Sequence, residues 1–232
     1  MKDEQKLNLL QLVIDNARNF DEAKSYASFI LGDRDPLTSR TPRADNRYGY
    51  TKTVIEDGVY IFSKGYQPVR FEDVWEVDNP KKVNVMVSYH GHEWIVAKND
   101  VSEDKMNLLK NDADIKEKSS FYKSEIEALN DFNMKSCTNH LRKLELSFKL
   151  DDGLYIPTVA QLAAMYLYRE ELNKALRLVC GTPMKEGMYW SSSENNAWFS
   201  WGVNYNMGGI SYWTHEHGGY VRPCMVHELK KK

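Results

Sequence analysis

The sequence predicts an α+β fold in which two helical segments lie among short antiparallel strands, preceded by a small helical extension. Three observations predict it. Runs of β-branched and aromatic residues bounded by turn residues fill 53–97. Two helical patterns follow over 119–178. A ring-rich stretch with Gly-rich turns then closes the chain. Strands, then helices, then strands differ from the alternation that builds a parallel βαβ sheet.

The chain has 232 residues, room for one large domain or a medium domain with an extension. Its 42% hydrophobic content is enough for a sizeable core. A net charge of −2 lacks the basic excess of nucleic-acid binders, so no nucleic-acid partner is expected. Lys230, Lys231 and Lys232 read as a solvated end. Near the start, Asn8 and Gln11 interrupt the apolar stretch Leu7 to Ile14, and Asp3 and Glu4 precede it. That is not the pattern of a signal peptide. No apolar run nears the roughly 20 residues that span a bilayer. The expectation is a cytoplasmic or virion-associated chain with no membrane insertion.

At the N-terminal end, Leu10, Val13, Ile14 and Ala17 form one helical stripe, and Asp21 opens a second helix ending near Leu31 and Gly32. These helices either pack on their own domain or serve as a homo-oligomer or virion attachment. Residues 33–52 are polar, carry two prolines and have no periodicity, which marks a linker. The division is therefore 1–45, helical extension and linker, and 46–232, the main domain.

Val59 to Phe62 is a strand between Gly58 and Gly65, and 83–97 is a hairpin turning at His90-Gly91-His92. Ser124 with Glu127 fits a capping box ahead of Ile126, Leu129, Phe132 and Met134. Thr158 caps one long helix running to Leu178, with Leu162, Met165, Tyr166, Leu172, Leu176 and Val179 on its apolar face and Gly181 as its stop. From Met188, strands are broken at Asn206-Met207-Gly208-Gly209 and His217-Gly218-Gly219. Cys137, Cys180 and Cys224 form no C-x-x-C pair and no zinc spacing, so buried free thiols are expected.

Five segments occur in a telling order: Trp94 to Asp100 (WIVAKND), Leu154 to Leu162 (LYIPTVAQL), Tyr189 to Glu194 (YWSSSE), Ser200 to Tyr205 (SWGVNY) and Tyr220 to Pro223 (YVRP). Together, over about 50–224, they resemble the C-type lectin-like domains of the formylglycine-generating-enzyme subclass. Many such domains occur in gut Bacteroides-type proteins and their phages. The arrangement also resembles the variable proteins of diversity-generating retroelements, phage receptor-binding proteins among them. In those a segment just before the last VRP-like strand is diversified, which corresponds here to 195–219. The resemblance implies that Trp190, Trp201, Val203 and Tyr205 lie in the core. It implies that Asn196, Trp198, Phe199, Gly202, Asn206, Met207, Tyr212, Trp213, His215 and His217 lie on the ligand-binding surface.

The chemistry of the segment points the same way. No Lys or Arg lies between Met188 and Tyr220, where four tryptophans stand among Tyr, Ser, Asn and Gly. Antigen-binding loops share this composition: rigid rings supply contact area at low entropic cost, and small polar residues supply adaptable hydrogen bonds. Trp198, Met207 and Trp213 cannot arise by randomising the adenines of an asparagine codon, so a diversified segment needs another template codon there.

Other chemistries find little support. His90-x-His92 and His215-x-His217 each offer two imidazoles, fewer than a zinc site uses. The Glu/Gln-Pro-Asp/Asn and Trp-Asn-Asp motifs of calcium-dependent lectins are absent, and no cysteine matches the formylglycine-generating role. No nucleophile elbow, P-loop or dinucleotide fingerprint is present. The expectation is a non-enzymatic protein without cofactor or metal that binds a protein or glycan ligand at a cell surface. The alternatives are an assembly subunit with a fixed protein partner and an enzyme on the same fold.

Overall fold

The computed structural model describes residues 55–63, 68–74, 76–77, 79–110, 122–132 and 134–227, with the backbone alone for 134–137. The chain divides after Asp57 into two compact units, and the second, which begins at Gly58, carries the described strands and helices. The expected N-terminal helices, the linker and the Lys230–Lys232 tail lie outside the described residues.

Strand β1 (Gly58–Ser63) forms where the sequence runs β-branched and aromatic, and it is buried along most of its length. It pairs with the short β2 (Val69–Arg70) on one side and with β3 (Val83–Tyr89) on the other. Strand β3 turns into β4 (His92–Val96) through His90 and Gly91, both at positive φ (49° and 77°). Two left-handed central residues are the signature of the twist-matched hairpin turn, as the sequence predicts.

Helix α1 (Glu125–Leu129) starts at Ser124, whose hydroxyl accepts from the Glu127 N–H at 3.3 Å. The helical pattern breaks before α2 (Met134–Lys143), so the predicted single stretch is two helices. Strands β5 (Leu154–Tyr155) and β9 (Cys224–Val226) complete an all-antiparallel six-stranded sheet in the order β2-β1-β3-β4-β9-β5.

The long amphipathic pattern after Thr158 also forms two helices, α3 (Val159–Leu167) and α4 (Arg169–Leu178). At Tyr168 the backbone leaves helical values (φ −101°, ψ 18°). The break lets one stripe serve two sheets: α3 packs on β6 (Met188–Asn196) and β7 (Phe199–Asn204), and α4 packs on β1 and β3. All six residues assigned to the apolar face are buried. Thr158 and Gln161 form the full capping box, and the buried Gln161 amide also donates to the Tyr155 hydroxyl at 3.1 Å.

At the end of α4 it is Cys180, not Gly181, that takes the left-handed position (φ 58°). Gly181 N–H bonds back to Leu176 O and Cys180 N–H to Arg177 O, closing the helix. The glycine is needed for proximity, since a Cβ there would lie 2.6 Å from the Lys98 carbonyl oxygen. This placement overturns one expectation. Cys224 is buried, but Cys180 is exposed because its left-handed backbone turns the side chain out of the helix end. Burial pushes the Cys224 thiol well above its usual pKa, which keeps it protonated and unreactive. Under native conditions a thiol-alkylating reagent is expected to label the Cys180 peptide and spare the Cys224 peptide until denaturant is added. Peptide mass mapping reads this directly, and equal native labelling of both would contradict the placement.

The last sheet has three strands, β6 (Met188–Asn196), β7 (Phe199–Asn204) and β8 (Ile210–Thr214), in that order and antiparallel. Its inner side joins a core of Leu108, Leu141, Ile156, Met188, Trp190 and Val221. Between Trp190 and Glu194 strand β6 slips register against β7. The extra serines tie the sheet to the start of α3. Ser192 N–H donates to Pro157 O at 2.9 Å, and the Ser193 hydroxyl accepts from Val159 N–H at 3.1 Å.

The segment Gly219 to Pro223 bonds to residues 97–106 on one side and to β6 on the other. Within it Arg222 is fully buried against Asp100, with Nε 2.6 Å from Oδ1.

Candidate ligand-binding surface

Alternation along β7 and β8 decides which rings are displayed. In the register Phe199↔Thr214, Trp201↔Tyr212 and Val203↔Ile210, these six residues share one face. Ser200, Gly202, Ser211 and Trp213 share the other, which lies toward the core.

On the first face α3 covers one end. Tyr205, just past β7, donates its hydroxyl to Leu162 O at 3.0 Å and meets the Tyr166 ring edge-on at 5.3 Å. Trp201 is sealed by Tyr122, whose carbonyl accepts from the indole Nε1 at 3.0 Å and from the Asn195 amide at 3.3 Å. Beyond that cover Tyr212 stands 44% exposed, with its ring edge-on to Phe199 (5.6 Å) and Trp201 (5.2 Å). Trp198, 51% exposed, occupies the β6–β7 turn. Asn196 holds that turn by accepting from the Trp198 N–H at 2.8 Å. Trp198, Phe199 and Tyr212 thus gather at one end of the sheet.

The β7–β8 turn lies at the other end. Asn204 organises it: its side chain accepts from Asn206 N–H at 2.9 Å, and its carbonyl accepts from Gly208 N–H at 2.7 Å. Gly208 has φ +75°, and a Cβ there would run into the Tyr166 ring. Asn206 and Met207 are exposed at the tip, Met207 by 63%. At roughly 3.3 Å per residue, β7 separates the two turns by about 17 Å.

The ten predicted surface residues therefore do not form one continuous face. Trp198, Asn206, Met207, Tyr212 and His217 are exposed, and Asn196, Phe199 and Trp213 are half-buried. Trp213 packs on the core side, with His217 stacked over it at 6.2 Å. Gly202 and His215 are buried, which corrects their assignment to the surface. His215 turns inward because its Nε2 hydrogen-bonds to the buried Ser200 hydroxyl at 3.0 Å. Gly202 is the floor on which the Trp213 ring rests: a Cβ there would lie 3.2 Å from that ring and 2.5 Å from the Tyr189 carbonyl oxygen. The four residues assigned to the core, Trp190, Trp201, Val203 and Tyr205, are all buried.

Gly202→Ala is accordingly expected to destabilise by about 1–3 kcal/mol, because a backbone carbonyl across the strand cannot move aside. Asn206→Ala is expected to stay within about 0.5 kcal/mol. Urea midpoints of the two variants separate a packing position from a displayed one.

Two polar groupings close to the sheet offer no accessible chemistry. Ser200 and His215 are sealed, and Glu194, 3.8 Å from His140, is buried as well. His92 stacks on Phe132 at 4.4 Å and His90 on Tyr89 at 4.0 Å. Burial lowers the pKa of His92. Among the described residues no group of three or more His, Cys, Asp or Glu is placed to hold a metal, and no helix is long and apolar enough to cross a membrane. Tyr122 and Ser200 are the structural partners that sequence reasoning missed; nothing in a local pattern links Tyr122 to a ring 79 residues away. Comparison of the chain with protein-family models, with curated proteins and with solved structures finds no match.

Proposed function

We propose that the chain is a non-enzymatic ligand-binding protein that displays an aromatic surface on a C-type lectin-like scaffold. In this reading it is similar in kind to the variable proteins of diversity-generating retroelements or to phage receptor-binding proteins. The observation that carries the reading is the division of labour among rings. Trp190, Trp201 and Tyr205 are buried in the scaffold, while Trp198 and Tyr212 stand exposed at one end of the same sheet. Exposed rings fixed by a hydrogen-bonded turn and by edge-on neighbours lose little entropy on binding, which is how interface anchors work. The displaying segment itself, Met188 to Tyr220, carries no Lys or Arg.

The test uses the labelled full chain against a glycan array and a panel of intact bacterial cells, with Trp198→Ala and Tyr212→Ala. Each variant is expected to lose at least tenfold in binding to whatever the parent captures, with an unchanged melting temperature. Unaltered binding in both variants would defeat the reading. A loss of self-assembly in place of a loss of capture would favour a subunit with a fixed partner. At the locus, a neighbouring reverse transcriptase and an imperfect repeat of the 190–224 coding segment are expected, with sibling substitutions concentrated at displayed positions such as Trp198, Phe199 and Tyr212.

A further inference from the structure

Among the described residues strand β8 is an edge of its sheet, with β7 as its neighbour. At the two ends of this ladder, His215 N–H donates to Trp198 O at 3.2 Å, and Asn204 N–H donates to Gly209 O at 2.8 Å. Antiparallel alternation then makes 200/213 and 202/211 the hydrogen-bonded pairs between those ends. The backbone groups of Ser211 and Trp213 therefore face β7, and those of Ile210, Tyr212 and Thr214 face outward. Among the described residues only the Thr214 carbonyl is taken, by His217 N–H at 2.9 Å.

Natural edges are usually blunted by proline, lysine or another charge, or by a bulge. Residues 210–214 contain no proline and no charge, and β8 pairs with β7 in unbroken register.

We propose that β8 is a docking edge for an extended polypeptide strand, which adds antiparallel through the outward backbone groups of Ile210, Tyr212 and Thr214 and carries Lys or Arg toward its N-terminal end. The outward groups repeat every second residue, about 7 Å apart. Another extended backbone offers donors and acceptors at that repeat, whereas a sugar ring does not. Antiparallel addition is the slightly more stable pairing. It places the partner's N-terminal end beside the exposed Glu216, in a stretch without Lys or Arg from Met188 to Tyr220. A basic residue at that end of the partner meets the Glu216 carboxylate. The exposed Tyr212, flanked by Phe199, then covers a side chain on one face of the added strand. The proposal rests on the ligand-binding reading and names the ligand class for the same end of the sheet.

The experiment selects linear random peptides from a display library on the immobilised full chain. It counter-selects on Ile210→Pro, which removes one outward N–H at an edge position that tolerates proline. Enriched peptides are expected to alternate apolar and polar residues and to carry Lys or Arg near their N-terminus. N-methylating their backbone at the alternate residues facing β8 should weaken binding at least tenfold, and methylating the intervening residues should not. Equal sensitivity to both methylation patterns, or no enrichment over Ile210→Pro, overturns the proposal. A dimer of the full chain that Ile210→Pro abolishes, with no peptide enriched, overturns it in favour of a second copy as the occupant.

The two readings fail separately. Cell or glycan capture that Trp198→Ala abolishes and Ile210→Pro leaves intact sinks the strand and keeps the displayed surface. Peptides that dock in register, while Trp198→Ala and Tyr212→Ala leave cell capture unchanged, keep the strand and sink the displayed surface.

Discussion

Replacing Arg222 by alanine is expected to destabilise the protein by about 3–5 kcal/mol, a large share of the stability of a typical domain. The guanidinium is fully buried and spends its donors completely. Nε donates to Asp100, Nη1 to the carbonyls of Ala97, Lys98 and Thr182, and Nη2 to Pro183 O and Thr182 Oγ1. Removing it strands the Asp100 carboxylate, whose side chain is 3% exposed, with the Tyr189 hydroxyl at 3.1 Å as its remaining donor. Lysine does not rescue, because a point charge cannot reproduce a planar fork that reaches two chain segments at once. Urea unfolding followed by far-UV circular dichroism checks both variants. A cycle with Asp100→Asn should show strong coupling. A midpoint change for Arg222→Ala equivalent to less than about 1 kcal/mol would mean that the buried pair is not what holds the final segment in place.

Trp190→Ala is expected to cost about 3–5 kcal/mol by a different route. This ring is fully buried at the centre of the cluster formed with Leu108, Leu141, Ile156, Met188 and Val221. Its Nε1 donates to Met106 O at 3.0 Å, and Gly219 lies so close that a Cβ there would come within 2.9 Å of that nitrogen. Truncation leaves a cavity bounded by strands and helix that cannot collapse without moving the Gly219 segment. Trp190→Phe keeps most of the volume. It also leaves the Met106 carbonyl satisfied, since that oxygen accepts from Gly219 N–H at 3.0 Å, so it should lose less than half as much. Near-equal losses for the two substitutions would show that the hydrogen bond outweighs the packing.

Local patterns were legible wherever a residue's neighbours in sequence are also its neighbours in space. The hairpin at His90 and Gly91, the Thr158 cap and the buried stripe from Leu162 to Val179 follow from turn chemistry and helical spacing. The core assignment of Trp201 and Val203 came instead from the resemblance, and both are buried. The break at Tyr168 was not legible, because it answers to two sheets that one stripe must cover and not to any breaker residue. Gly202 and His215 were misplaced for a related reason. Their burial depends on Trp213 and Ser200 across the ladder, and a surface set implied by resemblance carries no cross-strand partner of this chain. Cys180 was misread because its exposure comes from a backbone angle at a helix end, not from the hydrophobicity of its side chain.

The length of β7 has a consequence for how the surface can change. Positions at its two turns, Trp198 on one side and Met207 on the other, share no neighbour and lie too far apart for a compact ligand to bridge. Their substitutions should therefore act as separate dials, with additive effects on affinity for a small ligand. A long ligand engaging both turns would instead link them through effective concentration, so that damage at either turn costs far more than its own contacts.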